Sequence, residues 1–154
     1  MSDFPKRAAV AVIVSGFQFL TILRSQSVRA PGQICFPGGG IEVAESPREA
    51  TVREMREELG VNVIAQKEIW KSVSPRGLEI HWWKTLIEKG QTLNPNPDEV
   101  ASFSWLSARE IVARSNLLES NRRFFEALEK GEFSIWILGN WFGSVKPASK
   151  EAWV

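Results

Sequence analysis

Short apolar runs alternate with turn-forming residues along most of the chain, which is the pattern of a protein rich in β-strands. Residues 7–14 and 17–24 are two such runs, and Ser15 and Gly16 between them favour a hairpin turn. The remaining runs predict strands at residues 34–36, 41–43, 61–74, 78–87 and 100–106. The two short strands would lie on either side of a turn made of consecutive glycines.

The segment 47–59 has the features of a helix with well-defined ends. Ser46 before it is a good N-cap residue, Pro47 suits the first helical position, and Glu49 completes a capping box with Ser46. No other proline and no glycine interrupts the segment until Gly60, which is expected to end the helix.

Two further helices are predicted in the last third of the chain. Ser107 is a suitable cap for a helix that runs to about residue 113, and residues 119–130 form an amphipathic segment. Strands around one central helix, followed by these helices, predict an α/β fold in which a mixed β-sheet is covered on both faces. The tail from about residue 139 contains glycine and proline, and we expect it to pack loosely.

The composition is that of one globular domain spanning residues 1–154. Hydrophobic residues make up 44% and charged residues 24% of the chain, which is ordinary for a soluble protein. The formal net charge is +1, so no broad basic field attracts nucleic acid, and we expect no nucleic-acid partner. Cys35 is the only cysteine, which excludes an internal disulfide and favours a small buried residue in a reducing compartment.

The N-terminal apolar run has some features of a targeting signal. Lys6 and Arg7 precede it, as in a signal peptide, but Ser15 and Gly16 interrupt it and it continues as an alternating strand. No apolar stretch reaches the length that is needed to span a bilayer. We therefore expect a cytoplasmic protein without a membrane partner.

The predicted central helix carries an acidic cluster. Glu54, Glu57 and Glu58 stand at positions i, i+3 and i+4, so their side chains converge on one face of the helix. Such like charges repel one another by a few tenths of a kcal/mol per pair, and a hard divalent cation such as Mg²⁺ or Mn²⁺ removes that penalty. The alternative is a solvated acidic face whose charge is neutralised by neighbouring arginines.

The sequence around this cluster resembles a known family signature. Residues 39–61 read GGIEVAESPREATVREMREELGV and fit the pattern G-x5-E-x7-R-E-U-x-E-E-x-G-U, in which U is a bulky aliphatic residue. This pattern is the Nudix box of hydrolases that cut diphosphates linked to a second group. Its seven identities have odds on the order of 10⁻⁸ per window at average residue frequencies, so coincidence is excluded.

The resemblance implies a fold, a chemistry and a set of site residues. The fold is the Nudix-type α/β/α sandwich with a central mixed β-sheet, and the activity is metal-dependent hydrolysis of a pyrophosphate linkage. The implied metal ligands are Glu54, Glu57, Glu58 and Gly38. Glu45 and Arg53 are implied to hold the glycine loop and to orient the catalytic glutamates. We favour Glu54 as the general base, with Glu99, in the loop before the strand 100–106, as the second choice.

Substrate contacts are predicted from residues upstream of the helix. Arg24 at a strand end and Arg29 in the following loop could hold phosphates through charge-assisted hydrogen bonds, or could simply face solvent. Gly39 and Gly40 lack side chains and would let a ligand approach the backbone closely. The expected partner is a small nucleoside diphosphate derivative: a nucleotide sugar, ADP-ribose, a dinucleoside polyphosphate or a nucleoside triphosphate.

Two other functions stay open. The segment from Leu20 to Gly39 is similar to the extra motif of coenzyme A-type Nudix pyrophosphatases, although the spacing from Arg29 to Gly32 is one residue short. A non-catalytic nucleotide-binding or sensing module on the same fold is the third hypothesis, but such domains commonly lose box glutamates that this chain retains. The sequence leaves both a monomer and a homodimer open.

Overall fold

The structure is a computed structural model that describes residues 6–135, so the tail predicted from about residue 139 lies outside the described residues. The strands are β1 Arg7–Val12, β2 Val14–Ser15, β3 Gln18–Arg24, β4 Ile34–Cys35, β5 Gly38–Gly40, β6 Val63–Val73, β7 Glu79–Ile87 and β8 Val100–Ser107. The helices are α1 Pro47–Leu59, α2 Ala108–Val112 and α3 Glu119–Glu129. No helix among residues 6–135 is long and apolar enough to cross a membrane.

The strands form two four-stranded sheets. In the first sheet the order is β5-β1-β7-β6, with β1 parallel to β7 and the other two pairs antiparallel. This arrangement confirms the predicted mixed sheet. In the second sheet β3 pairs antiparallel with β2, β4 and β8. Ile13 alone separates β1 from β2, so one continuous run of chain contributes to both sheets.

Helices pack on two sides of the sheets, as an α/β/α sandwich requires. Met55 and Leu59 of α1 lie in one apolar core with residues such as Leu20. Phe124 of α3 lies in a second core, where its ring centroid is 4.8 Å from that of Trp82 on β7. Both cores contain fully buried side chains, and the first core packs α1 against the strands.

The predicted strand at residues 41–43 is wrong, because the glycines themselves form the strand. Residues Gly38–Gly40 pair with β1, and Val43 is 99% exposed beyond the end of that pairing. The approach is close: a Cβ atom on Gly38 would lie 2.3 Å from the carbonyl oxygen of Ala9. Only glycine fits at this distance. The consecutive glycines, which suggested a turn in the sequence, are therefore what allows β5 to pair with β1.

The ends of α1 are as the sequence predicts. Ser46 Oγ accepts the N–H of Glu49 at 3.1 Å, and the Glu49 carboxylate accepts the N–H of Ser46 at 3.3 Å. Gly60 ends the helix in the left-handed conformation, with φ of 64°, and donates its N–H to the carbonyl of Arg56. The capping box and the glycine together fix where the acidic face of α1 lies.

Candidate active site

Two glutamates of α1 lie buried against the glycine strand. Glu54 and Glu58 are only 8% and 5% exposed, and their carboxyl groups hydrogen-bond each other. The N–H of Gly38 donates to Glu58 Oε1 at 3.0 Å. A Cβ atom on Gly39 would lie 2.5 Å from Glu54 Oε1, so glycine at this position makes room for the carboxylate. The sandwich therefore brings the box glycines and two box glutamates into direct contact.

Arg53 binds the parts of the box together. Its Nε and Nη2 donate to the two oxygens of Glu45 at 2.7 and 3.0 Å, and Nη2 also donates to the carbonyl of Gly40 at 2.8 Å. Its Nη1 lies 3.0 Å from Glu54 Oε1 and 3.1 Å from Glu57 Oε2. One guanidinium thus connects the loop before the helix, the end of β5 and two glutamates of α1.

Burial shapes the charge of the glutamate pair. Desolvation raises the pKa of Glu54, and Arg53 opposes this rise. The pKa of Glu58 is raised well above its usual range by its burial, and the neighbouring Glu54 adds to the rise, while the hydrogen bond from Gly38 opposes it. Two carboxylates this close and this dry need a shared proton or a cation.

Glu99 approaches the pair from the loop before β8. Its carboxylate contributes to the raised pKa of Glu58, which places its charge near that residue. Its Oε2 is buried and has no hydrogen-bond partner among the described residues. The neighbouring Asp98 is exposed. Of these two neighbouring acids, the structure therefore brings the predicted one, Glu99, toward the pair and leaves Asp98 in solvent.

The side-chain oxygens at this site have the chemistry that a divalent cation prefers. Glu54, Glu58 and Glu99 offer oxygens only, and the unpartnered Glu99 oxygen is a group that a hard cation would satisfy. Within residues 6–135, however, no three acidic, histidine or cysteine side chains already surround one point. Arg53 Nη1 donates to both Glu54 and Glu57, so these two carboxylates are bonded to a guanidinium where a metal ion would otherwise lie. The oxygen ligands therefore suit Mg²⁺ or Mn²⁺ by type, but the carboxylate oxygens would have to move toward one another to bind the ion.

The two predicted phosphate-binding arginines differ in their surroundings. Arg24 Nε donates to the carbonyl of Arg29 at 2.6 Å, and its Nη1 lies 3.8 Å from the sulfur of Cys35. Burial raises the pKa of Cys35 to about 11, Arg24 opposes the rise and Glu58 adds to it, so both charges lie near this thiol. The Arg29 side chain is exposed. The fold therefore brings Arg24 toward the glutamate pair, whereas Arg29 enters the contact only through its backbone.

The sequence did not reveal two residues that support the site. Ser25 is buried and bonds the backbone of Asp98 and Glu99, and Asn121 Oδ1 accepts the N–H of Phe36 at 2.8 Å, just before the glycines. Both partners lie more than 70 positions away along the chain. For Ser25 the only signal was polarity beside a strand end, and for Asn121 it was a polar residue within the predicted helix 119–130. Neither signal identifies the distant backbone group that the side chain binds.

Comparisons with known proteins agree on the family. The NUDIX domain profile matches residues 5–128. An RNA pyrophosphohydrolase of Orientia tsutsugamushi (strain Boryong) is 25% identical over 158 residues, covering 89% of this chain and 95% of the relative.

Solved structures agree on the fold. The MutT protein of Methanosarcina mazei Go1 superposes with a TM-score of 0.68 at 22% identity, covering 86% of this chain and 99% of that one. An ADP-ribose pyrophosphatase of Streptococcus suis gives 0.59 at 22%, covering 75% and 81%. At such identities these likenesses show the fold alone, and the profile match decides the family. The chain therefore belongs to the Nudix family of pyrophosphohydrolases.

Proposed function

We propose that this protein uses Mg²⁺ or Mn²⁺ to hydrolyse the pyrophosphate linkage of a nucleoside diphosphate joined to a second group. The observation that carries the proposal is the burial of Glu54 and Glu58 in mutual contact, with the unpartnered Glu99 oxygen nearby. A structural role gives no reason to gather three carboxylates, two of them buried, because their charges repel one another and the buried Glu99 oxygen gains no partner. A cation supplies that partner, and enzymes of this family generally use divalent metal ions.

The charged residues that match the box pattern each have a part in the proposed reaction. Glu54, Glu57 and Glu58, with the backbone of Gly38, would hold the metal, which when bound neutralises phosphate charge and acidifies water. Arg53 keeps Glu54 and Glu57 oriented through its bonds from Glu45. Glu54 would accept the proton of the attacking water, and Glu99 is the second choice for that step.

The substrate side of the proposal rests on fewer contacts. Arg24 would bind a phosphate of the substrate, because its guanidinium lies 3.8 Å from the Cys35 sulfur and the charge of Glu58 acts on the same thiol, which brings Arg24 near the glutamate pair. Gly39 and Gly40 would allow close approach along β5, and Arg29 is exposed enough to reach a ligand from the loop. The nucleotide sugars, ADP-ribose, dinucleoside polyphosphates and nucleoside triphosphates remain the proposed classes.

One observation favours a second candidate substrate. The relative from Orientia tsutsugamushi, which this chain matches over 89% of its length, is named an RNA pyrophosphohydrolase. This name favours the 5′-phosphorylated end of an RNA, although the net charge of +1 offers no broad basic surface for the rest of such a molecule. Recognition would then be confined to the terminal phosphates and the first nucleotides.

The test is a turnover panel with purified protein in Mg²⁺ and in Mn²⁺. It contains ADP-ribose, a nucleotide sugar, a dinucleoside polyphosphate, a nucleoside triphosphate, coenzyme A and a 5′-triphosphorylated RNA. We expect metal-dependent release of phosphate or a nucleotide from at least one of them, and the products identify the bond that is cut. Preferred cleavage of coenzyme A would favour the alternative drawn from the upstream motif.

A matched pair of variants distinguishes turnover by this protein from turnover by a contaminating enzyme. Glu58→Gln removes a buried carboxylate of the site, whereas Glu129→Gln removes an exposed one from α3 in the other helical layer. We expect the first to lose activity and the second to keep it. No turnover of any substrate by the unmodified protein, in either metal, would contradict the proposal and favour a non-catalytic nucleotide-binding module.

A further inference from the structure

Ser25, the residue after β3, makes two hydrogen bonds to one short loop. Its N–H donates to the carbonyl of Glu99 at 3.0 Å, and its hydroxyl donates to the carbonyl of Asp98 at 2.8 Å. The side chain is buried, with 5% exposure. One residue therefore binds two successive peptide groups, which fixes both the position and the orientation of the backbone that carries Glu99.

The pairing of β3 with β8 changes just before this contact. Leu23 lies opposite Ser102, but Arg24 lies opposite Val100, so β8 has an extra residue between them. Such a bulge bends a strand and redirects the side chains that follow it. Here the extra residue lies on β8, and just beyond it Ser25 bonds the carbonyls of Asp98 and Glu99 through its hydroxyl and its N–H.

The same loop is attached to α1 on its other side. Asn94 donates its N–H to the carbonyl of Leu59 at 2.8 Å, and Asn96 donates its N–H to the carbonyl of Glu58 at 2.9 Å. The loop of residues 94–99 is thus hydrogen-bonded to α1 at one end and to Ser25 at the other. The Glu58 backbone anchors one end of it, and Ser25 determines where the Glu99 end lies relative to the Glu58 carboxylate.

We propose that Ser25 is a positioning residue that holds the Glu99 carboxylate beside Glu54 and Glu58, where it completes the oxygen set for a divalent cation. The proposal rests on the function proposed above, and it gives a reason for a buried hydroxyl at a strand end. Without the hydroxyl, the carbonyl of Asp98 loses its partner and the loop loses one of its two bonds to Ser25. The Glu99 carboxylate would then sample positions farther from the pair.

The chain offers a close control for a purely structural role. Thr21 is also on β3, is 2% exposed, and donates its hydroxyl to the carbonyl of Ser104 on β8 at 2.9 Å. Thr21→Val and Ser25→Ala each remove a buried hydroxyl that donates to a backbone carbonyl, although Ser25→Ala also removes the acceptor of the Ser27 N–H at 3.3 Å. Of these two residues only Ser25 bonds the loop of Glu99, so both variants should lose some stability but only Ser25→Ala should weaken metal binding.

The experiment measures Mn²⁺ binding to metal-free protein by electron paramagnetic resonance, which needs no substrate. Losing a partner that orients a metal ligand typically weakens metal binding 10- to 100-fold, and we expect about tenfold for Ser25→Ala, since one backbone bond remains. Thr21→Val should bind Mn²⁺ as the unmodified protein does. In a Glu99→Gln background, Ser25→Ala should cause no further loss, because the carboxylate that it positions is already gone.

The outcomes distinguish this inference from the function on which it rests. If the unmodified protein binds no Mn²⁺, the proposed function fails. If it binds Mn²⁺ but Ser25→Ala and Thr21→Val have equal effects, or if Ser25→Ala weakens binding as much in the Glu99→Gln background, the positioning role is wrong. Ser25→Cys, which retains a weak donor of similar size, replaces Ser25→Ala in the same measurements if the alanine variant does not fold.

Discussion

Arg53 binds both carboxylate oxygens of Glu45, through Nε at 2.7 Å and Nη2 at 3.0 Å. Paired bonds of this kind fix the plane of a guanidinium, because each restrains rotation about the other. The third nitrogen, Nη1, is thereby directed at Glu54 and Glu57. Glu45 itself accepts the N–H of Glu42, so the orientation of the α1 glutamates depends on the loop that precedes the helix.

Replacing Arg53 should therefore impair turnover more than substrate affinity. Arg53→Ala frees Glu54 and Glu57 from their common donor, and we expect kcat to fall by about 10²-fold, with KM nearly unchanged. Arg56→Ala is the control, because Arg56 is an exposed arginine of α1 whose Nε donates to Asn62 outside the site. A rise in KM alone, with kcat intact, would mean that Arg53 contacts the substrate.

Activity should require a divalent cation, but the fold should not. EDTA is expected to abolish turnover while circular dichroism stays native, because α1 is anchored by Met55 and Leu59 in an apolar core. Adding Mg²⁺ or Mn²⁺ back should restore activity and raise the melting temperature, since a ligand that binds only the folded state stabilises it. Full activity in excess EDTA would contradict the metal assignment.

Local signals were sufficient to predict α1 and its acidic face. The cap at Ser46, the proline at position 47 and the stop at Gly60 all act within one or two turns, so neighbouring residues determine them. The strand Gly38–Gly40 could not be predicted in this way. Its pairing depends on how closely β1 approaches, and that distance is set by residues about 30 positions earlier in the chain.

The same difference applies to the candidate site. The convergence of Glu54 with Glu58 follows from helical spacing, but the burial of the pair follows from β5 packing against α1. The sequence indicates Glu99 as the second choice for the general base, but its approach to Glu58 depends on the peptide groups that Ser25 and α1 hold, which the sequence does not show. Glu57, predicted with the other two, stays 47% exposed in its side chain and joins them only through Arg53.

Cys35 should be nearly inert in the folded protein. Its burial raises the pKa of the thiol from 9.0 to about 11, so at pH 8 only on the order of 0.1% is the reactive thiolate. Alkylation by iodoacetamide should be far slower in native buffer than in urea. Between these two pKa values the unfolded chain loses a proton that the folded chain keeps, so this group lowers stability as pH rises through that window. Rapid labelling of the native protein would contradict the burial.

Removing the charge of Glu58 should stabilise the metal-free protein. Burial and Glu54 raise the pKa of Glu58, so the folded state holds a proton that the unfolded state releases as pH rises above about 4.5. Stability without metal should therefore fall as pH increases toward the raised pKa. Glu58→Gln removes this dependence and keeps an acceptor for the Gly38 N–H.

The measurement is thermal unfolding in EDTA at pH 5 and pH 8. We expect Glu58→Gln to unfold a few degrees higher than the unmodified protein at pH 8, with a smaller difference at pH 5; about 1 kcal/mol moves the midpoint by about 2–4 °C in a domain of this size. Glu129→Gln controls for the loss of an exposed charge. A lower midpoint for Glu58→Gln at both pH values would show that the carboxylate is stabilising without metal.

The identity of the general base can be tested by comparing Glu54→Gln with Glu99→Gln. Losing one interaction that stabilises charge in the transition state typically costs about 10²–10³ in rate, and we expect such a loss for Glu54→Gln. If Glu54 accepts the proton of water, the loss should persist at saturating metal and be partly relieved at high pH, where hydroxide needs no acceptor. Glu57→Gln and Glu58→Gln should instead weaken metal binding and recover in part when metal is raised.

Glu99→Gln is expected to be milder than Glu54→Gln at saturating metal. Glu54 lies one helical turn before Glu58 and contacts its carboxyl group, whereas Glu99 reaches the pair from a loop that Ser25 must hold in place. The measurement is a pH–rate profile for each variant with metal titrated to saturation. If Glu99→Gln is the less active of the two while its metal affinity is intact, the base lies in the loop, and Glu54 serves only to bind the metal.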